Sequence, residues 1–403
     1  MSEIDYRRLA ETTVGTQAAS AVAEPQPLWR GQLESGEMAM INGVAFLHSR
    51  AMNDCVLRGH EFSTNADFGL GNVRPLIPLN VDPPKHAQYR KLLDPVFAPR
   101  RMEEQELDIT KRFNGFMDAF IDRGECNFTE ELAELFPSSV FLGLCGLPEA
   151  DLRTFLTLRD GVLHPEKVDP AAATDLDARI TVTKAGGQAI YRYFTEIVAM
   201  RRKEPTGDLV SRLIASEVDG ARLTDDELLD ILFLMLIAGL DTVSDSLTCF
   251  FAFLATHPDQ RRQIAADPSI IPAAVEELLR WESPVPAGVP RIATIDTMLP
   301  NGQPVSAGTA LMINYGVANM DPDVFGEDVS EVRFDRLANP HVAFGGGVHR
   351  CLGSHLARRE LRIGLREWHR RIPEYSLKPG HEELQFPPGL RHVKDLTLSW
   401  PGA

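Results

Sequence analysis

The chain has 403 residues, 44% of them hydrophobic, which is enough to bury a large core without disulfides or metal staples. Its formal net charge of −16 argues against nucleic acid or an anionic membrane as the main partner. The cysteines, Cys55, Cys126, Cys145, Cys249 and Cys351, are odd in number, scattered and without a C-x-x-C pair, which argues against a disulfide framework and fits a reducing cytosol.

The opening residues, MSEIDYRRLAETTVGTQ, are polar with charges of both signs and hold no apolar signal core. Residues 1–27 are expected to form a loose arm. Residues 28–403 are expected to form one domain, mainly α with a small β-rich portion, because no linker or repeat divides them. Asp82-Pro-Pro has the form of an N-cap followed by proline at the first helical position. Just beyond it Lys85, Arg90, Lys91, Arg100 and Arg101 make a basic cluster opposed only by Asp94. Thr224-Asp-Asp-Glu227 is a capping-box pattern, and no proline follows until His257-Pro258, so the spacing predicts a helix of about 30 residues. Its stretch Ile231 to Leu240 is apolar at nearly every position, which predicts burial on all sides and is too short to span a bilayer. After Pro284 the pattern turns to short strands at Arg291 to Leu299, Val305 and Ala310 to Asn314, with a turn at Asn301-Gly302. Leu352 to Arg371 is helical again. Arg350, Arg358, Arg359, Arg362, Arg366, Arg370 and Arg371 face only Glu360 and Glu367 there, a pattern that by itself denotes a solvated face.

The chemistry concentrates in Phe344-Gly-Gly-Gly-Val-His-Arg-Cys351-Leu-Gly353. Three glycines permit positive φ angles and a close approach of backbone to a flat ligand. The loop delivers Cys351 to the start of a helix, where unpaired N–H groups and the helix dipole favour a thiolate. Taken alone, the segment is also compatible with a zinc cluster through His349, Cys351 and His355, with a nucleophilic cysteine, or with a structural thiol. The zinc reading lacks a fourth ligand, and nothing local supplies a nucleophile with its base.

The decapeptide resembles, at every defining position, the cysteine-ligand loop of cytochromes P450, F-x-x-G-x-[HR]-x-C-x-G. Other signatures of that family follow in order. Ala238-Gly239-Leu240-Asp241-Thr242 resembles its oxygen-activation motif, and Glu277-Leu-Leu-Arg280 its E-x-x-R motif, with Arg336 as the third member. Asp82-Pro-Pro-Lys-His86-x-x-x-Arg90 and Ala318-Asn319-Met-Asp321-Pro322 are further likenesses. The resemblance covers nearly the whole chain beyond the arm and is closest in kind to the soluble bacterial class, including its camphor-hydroxylating members. It implies a cytochrome P450 fold and a haem b cofactor with Cys351 as axial ligand to the iron, set in a loop bounded by Phe344 and Gly353. It further implies His86, Arg90, Arg291 and His349 as partners of the propionates, and Glu277, Arg280 and Arg336 as a buried structural network. A thiolate ligand pushes electron density onto iron and favours O–O cleavage over reversible O2 binding. Asp241 and Thr242 would supply the acid and the hydroxyl for proton delivery, with Gly239 expected to loosen the helix locally.

The implied reaction inserts one oxygen atom of O2 into a C–H bond. No flavin- or iron–sulfur-binding segment is visible, so the two electrons are expected from a separate acidic ferredoxin, with its reductase, docking on the basic clusters. The implied pocket takes Phe68, Leu70, Arg74 and Leu76 from a lid loop and Leu234, Ile237 and Ala238 from the long helix. Ala287 and Val289 come from the first strand after it, and Leu390 from the carboxy-terminal turn. These residues are nearly all apolar, so a compact hydrophobic substrate of terpenoid, fatty-acid or steroid kind is expected. Arg74 stands where the camphor-hydroxylating members carry a ketone-binding tyrosine. Its two readings are a grip on a substrate carboxylate or carbonyl, and an arginine turned to solvent or a propionate. The competing functions are a haem-thiolate sensor without turnover and peroxide-driven oxygenation. The Asp241-Thr242 pair argues against both. A cytoplasmic monomer is expected.

Overall fold

The computed structural model describes residues 21–65, 70–218 and 220–401, so Phe68 and residues 1–20 of the expected arm lie outside the described residues. Helix α1 (Gln26–Glu34) already begins within the segment expected as an arm. Strands β1 (Met38–Ile41) and β2 (Val44–Leu47), helix α2 (Arg50–Arg58) and strand β3 (Phe62–Ser63) follow. The long helices are α3 (Lys85–Leu93), α4 (Glu106–Asp118), α5 (Leu152–Leu163), α6 (Leu176–Lys203), α7 (Asp225–Thr256) and α8 (Ile271–Glu282). Strands β4 (Arg291–Ala293) and β5 (Ala310–Met312) precede the last long helix, α9 (Ser354–Arg371). The chain is therefore mainly α with small sheets, as its patterning predicts. None of the helices among the described residues is long and apolar enough to cross a membrane.

Residue contacts gather the chain into two compact units. The first is built from the described residues up to Ser63, from Met102–Phe136 and from Thr242 onward. Its main sheet has the order β1-β2-β5-β4-β3; only β2 and β5 run parallel, with Val44 opposite Ala310. Every residue of β2 is buried, as an apolar strand covered on both faces must be. One face packs Ala45, Leu47, Leu311 and Ile313 with Met52 and Val56 of α2, and the other packs Val44, Phe46, Ala310 and Met312. The expected strand from Arg291 to Leu299 is split, because Thr297–Met298 turns away to pair with Pro304–Val305. Gly302, at φ +80°, closes that hairpin in a conformation that other residues rarely adopt. Helix α9 is anchored by Trp368, fully buried among Phe120, Phe128, Phe251 and Tyr375 at centroid distances of 5.1–6.1 Å.

The second unit comprises Thr64–Arg101 and Pro137–Asp241. Its helices α5 and α6 meet at Gly161 and Gly186, where a Cβ added to Gly186 would stand 2.5 Å from the Gly161 carbonyl oxygen. Only bare backbone allows that approach. Helix α3 has Pro84, not Asp82, at its N-cap position. The Asp82 carboxylate accepts from the Thr64 N–H at 2.9 Å, and the helix starts at Lys85. The capping box before α7 forms in both directions: Glu227 N–H donates to Thr224 Oγ1 at 3.2 Å, and Thr224 N–H to Glu227 Oε2 at 2.9 Å. Helix α7 then runs for 32 residues and stops before Pro258, which has no N–H to continue it. Leu228, Ile231, Leu232, Phe233, Leu236 and Leu240 of α7 are fully buried. Leu234, Ala238 and Thr242, four residues apart on one face, keep exposed surface, which corrects the expectation of burial on all sides.

Candidate active site

Among the described residues Cys351 is the one exposed cysteine. Burial pushes the thiols of Cys126, Cys145 and Cys249 up, so they stay protonated and inert. The loop that presents Cys351 is shaped by its glycines: Gly345 and Gly347 sit at φ +68° and +64°. A Cβ on Gly347 would fall 2.0 Å from the Leu57 carbonyl oxygen, so this backbone lies directly on α2. The Cys351 N–H donates to the Phe344 carbonyl at 2.9 Å and closes the loop. Two residues later, Gly353 begins α9 with no side-chain cap and no acid in the first turn. The sulfur thus stands at the positive end of an uncapped helix, which favours its thiolate.

Beneath the loop lie the expected network and one member that the sequence does not announce. Arg280, with no exposed side-chain surface, donates to both Glu277 oxygens at 2.9 and 2.7 Å and to the carbonyls of Asn319, Val329 and Glu331. Arg336 Nε donates to Glu277 Oε1 at 3.0 Å. The adjacent Glu276 forms a second clamp: Arg358 binds it through two bonds of 2.7 Å and lies 4.3 Å over the Phe344 ring. His341 Nε2 completes it at 3.0 Å. Burial raises the Glu276 carboxyl, but His341 and Arg358 more than reverse this and hold it well below the ordinary carboxylate range. Glu276 therefore fixes the aromatic end of the cysteine loop. Only the helical neighbourhood of Glu277 could have suggested it.

Arg291 is buried at the start of β4, with Nη1 donating to the Val289 carbonyl at 2.7 Å. Beside it stands Tyr315, which no motif in the sequence marks. Its ring end occupies space left by Gly288 and Gly345, whose added Cβ atoms would come within 2.6 and 2.9 Å of the hydroxyl. Tyr315 is 8% exposed, burial raises its phenol, and Arg291 and Cys351 both act on it electrostatically. No hydrogen bond to its hydroxyl forms among the described residues. An exposed thiol at a helix start, a glycine cradle, a buried guanidinium and a waiting phenol fit the iron and propionates of a haem. Cys351 would hold the metal, with Arg291, His349 and Tyr315 as donors on this unit.

In the second unit His86 and Arg90 share one face of α3, His86 buried and Arg90 bonded to Asp94 at 2.7 Å. Burial and the Arg90 charge lower the His86 pKa, which keeps its ring neutral. On α7 Asp241 is buried, with His164 Nε2 at 2.6 Å and Arg159 Nε at 3.3 Å. Burial would depress the His164 ring, but Asp241, and then Glu166, push it up to about 10. Helix α7 stays α-helical without interruption through Gly239, so the expected local loosening is not present. The bare Cα there leaves open surface instead, with only a Phe141 ring carbon 4.0 Å from the place of a Cβ.

Arg74 is engaged inside its own unit. Its Nε lies 2.9 Å from Asp230 Oδ2 and its Nη1 3.1 Å from Asp226 Oδ1, with the guanidinium 5.2 Å over the Tyr191 ring. Tyr191 donates to the other Asp230 oxygen at 2.8 Å. The expected grip on a substrate carboxylate gives way to this pairing, because the carboxylates of α7 already satisfy the guanidinium. Arg74→Ala is therefore expected to cost about 1–3 kcal/mol by stranding buried Asp230 and to weaken an acid ligand and its methyl ester equally. Thermal melts and paired titrations check this, and a loss confined to the acid would restore the substrate role. Leu76 has no exposed surface, so it packs within the unit rather than lining a cavity. Ile237 is also buried, whereas Leu70, Leu234, Ala238, Ala287, Val289 and Leu390 keep exposed surface.

The arginines of α9 are less free than their sequence window suggests. Arg366 Nη1 meets Glu106 of α4 at 2.8 Å, Arg359 meets the same carboxylate, and Arg371 Nη2 meets Asp118 at 2.7 Å. Arg370 pairs with Glu367 at 2.9 Å. In the second unit Lys91, Arg100 and Arg101 are exposed.

Comparison with known proteins gives one family. The sequence model of cytochrome P450 matches residues 174–384. A steroid C26-monooxygenase of Mycolicibacterium smegmatis is 36% identical over 315 residues, 76% of this chain and 76% of that protein. The mycinamicin IV hydroxylase/epoxidase of Micromonospora griseorubida is 34% identical over 329 residues, 80% of this chain and 79% of its own length. Among solved structures, CYP109E1 from Bacillus megaterium in complex with corticosterone superposes with a TM-score of 0.83 at 26% identity, covering 94% of this chain and 98% of that one.

Proposed function

The chain belongs to the cytochrome P450 family and is a haem-dependent monooxygenase, and from that premise we propose that it hydroxylates a compact hydrophobic molecule, steroid-like before terpenoid or fatty acid, with electrons from a separate acidic ferredoxin. The observation that carries the reading is Cys351, exposed on a glycine loop at an uncapped helix start. When bound, the haem supplies O2 binding and activation. The chain's residues do the rest. Cys351 would hold the metal as a thiolate in the loop from Phe344 to Gly353, with Arg291 and His349 as propionate partners on its own unit, and His86 and Arg90 are assigned the same role by family resemblance. Asp241 carries a proton toward the reacting side, and the Thr242 hydroxyl beside it in sequence takes that proton on. The apolar positions Leu234 and Ala238 on α7 keep exposed surface, and these, with Ala287, Val289 and Leu390 by family resemblance, are the residues assigned to the substrate. The steroid preference draws on the named substrate of one relative and the bound ligand of the structural neighbour.

The ferredoxin reading is narrowed by the ion pairs of α9. Steering by its arginines is muted by Glu106, Glu276, Glu367 and Asp118, so the docking rate should fall only modestly with salt. A cytoplasmic monomer belongs to the same proposal, the location supported by scattered cysteines that hold no C-x-x-C pair. The deciding measurement is a spectrum of the reduced, CO-bound protein, followed by a screen for ligand-induced spectral shifts across steroids, terpenoids and fatty acids. A thiolate-type CO spectrum with steroid-induced shifts is expected. A histidine-type spectrum would overturn the assignment, and shifts with fatty acids alone would overturn the substrate class.

A further inference from the structure

Asp241 is held by more than a counter-ion. His164 Nε2 lies 2.6 Å from Asp241 Oδ2, and the opposite ring nitrogen, Nδ1, faces Glu166 Oε1 at 3.7 Å. Glu166 is 37% exposed and is joined by Arg179 Nη2 at 3.3 Å. One imidazole, itself 18% exposed, therefore bridges a carboxylate at the surface and a carboxylate that is 2% exposed. The other charges around it are fixed in place. Arg159 of α5 is bonded to Asp160 at 2.6 Å and reaches Asp241 at 3.3 Å, and Arg179 belongs to α6. Lys167 carries a further charge on the short helix Pro165–Val168 that follows His164. All of these groups belong to the second unit.

We propose that His164 is a relay and positioning residue that carries protons from the Glu166 side to Asp241. The inference rests on Asp241 having the proton-delivery role assigned above. The step balances without any redox partner. The Nε2–H bond of the imidazolium breaks as an O–H bond forms on Asp241. The neutral ring then turns over, its bare nitrogen takes a proton from the Glu166 side, and the imidazolium is restored. Each cycle moves one proton inward and no electrons.

A plain ion pair would hold Asp241 equally well, so the test must separate the two. His164→Lys keeps the cation but offers one nitrogen instead of two, and His164→Gln keeps a donor without charge. In the full chain with haem and its electron donor, both variants are expected to lose roughly tenfold or more in kcat, with a raised solvent isotope effect and ligand-induced spectral shifts unchanged. Wild-type kcat should fall as pH rises and His164 deprotonates, a limb that the variants lack. Stability offers a readout apart from turnover. His164 keeps its proton to about pH 10 in the fold against the usual 6.5, so the pair stabilises fully below about 6.5 and ceases to do so as pH rises through about 10. Melting of the wild-type protein should show that alkaline slope, and His164→Gln should not. Full turnover in His164→Lys would overturn the relay and leave an ion pair. Slow Asp241→Asn with normal His164→Gln would overturn this inference alone, whereas full turnover in Asp241→Asn would overturn the proton role of Asp241 on which it rests.

Discussion

Glu277→Ala is expected to destabilise the chain by about 3–5 kcal/mol, the range for stranding a buried charge. The carboxylate accepts from Arg280 twice, from Arg336 Nε at 3.0 Å, from the Arg333 N–H at 3.0 Å and from Asn339 Nδ2 at 2.9 Å. Removing it leaves two guanidiniums, with 0% and 7% side-chain exposure, without their main counter-charge. Neither can turn to water, because both are also bonded to the carbonyls that fix them. Against a total stability of roughly 5–15 kcal/mol this is a large fraction. Glu277→Gln, which keeps acceptors but not the charge, should fall between the variant and wild type. Urea unfolding measures both. A loss below about 1 kcal/mol, the worth of an exposed pair, would show that the network is not buried in solution.

Cys351→Ala is expected to act in the opposite way, on chemistry and not on folding. Its sulfur is exposed, so the unloaded chain should keep its stability within about 0.5 kcal/mol, as surface substitutions do. Monooxygenase turnover should fall roughly a thousandfold or more, the scale of removing a group on which the chemistry depends. The CO spectrum should lose its thiolate signature. Cys249→Ala is the contrasting control. Cys249 is buried and its thiol approaches the Arg391 carbonyl at 3.2 Å, so its replacement should lower stability and leave the spectrum unchanged. A thiolate spectrum surviving in Cys351→Ala would remove the ligand assignment.

What was legible in the sequence was local. Capping at Thr224 and Glu227, the stop at Pro258, the glycine loop and the pairing of Glu277 with Arg280 all depend on residues within one or two helical turns. Spacing alone places such groups together. What escaped depends on elements distant in sequence. Arg74 finds Asp230 across 156 positions, and Arg366 finds Glu106 across 260. A window of sequence counts the arginines of α9 but not the carboxylates that α4 brings to them. The bond from the Thr64 N–H to the Asp82 carboxylate spans 18 positions and is equally invisible to a local window. Tyr315 was hidden because two separate glycines make its room. His164 lies 77 positions from Asp241, and a lone histidine before Pro165 carries no signal of its own.

The crossing of α5 and α6 at Gly161 and Gly186 constrains how this protein can change over generations. At Gly186 a methyl group would meet the Gly161 carbonyl oxygen at 2.5 Å, whereas at Gly161 it would meet the Gly186 Cα at 3.1 Å, a tight contact that a small shift relieves. A substitution at Gly186 must push two helices apart, and no second substitution at Gly161 can undo that. Such a site offers drift no stepwise route, so Gly186 should remain fixed in variant libraries, and Gly161 should vary less than the surrounding helical surfaces.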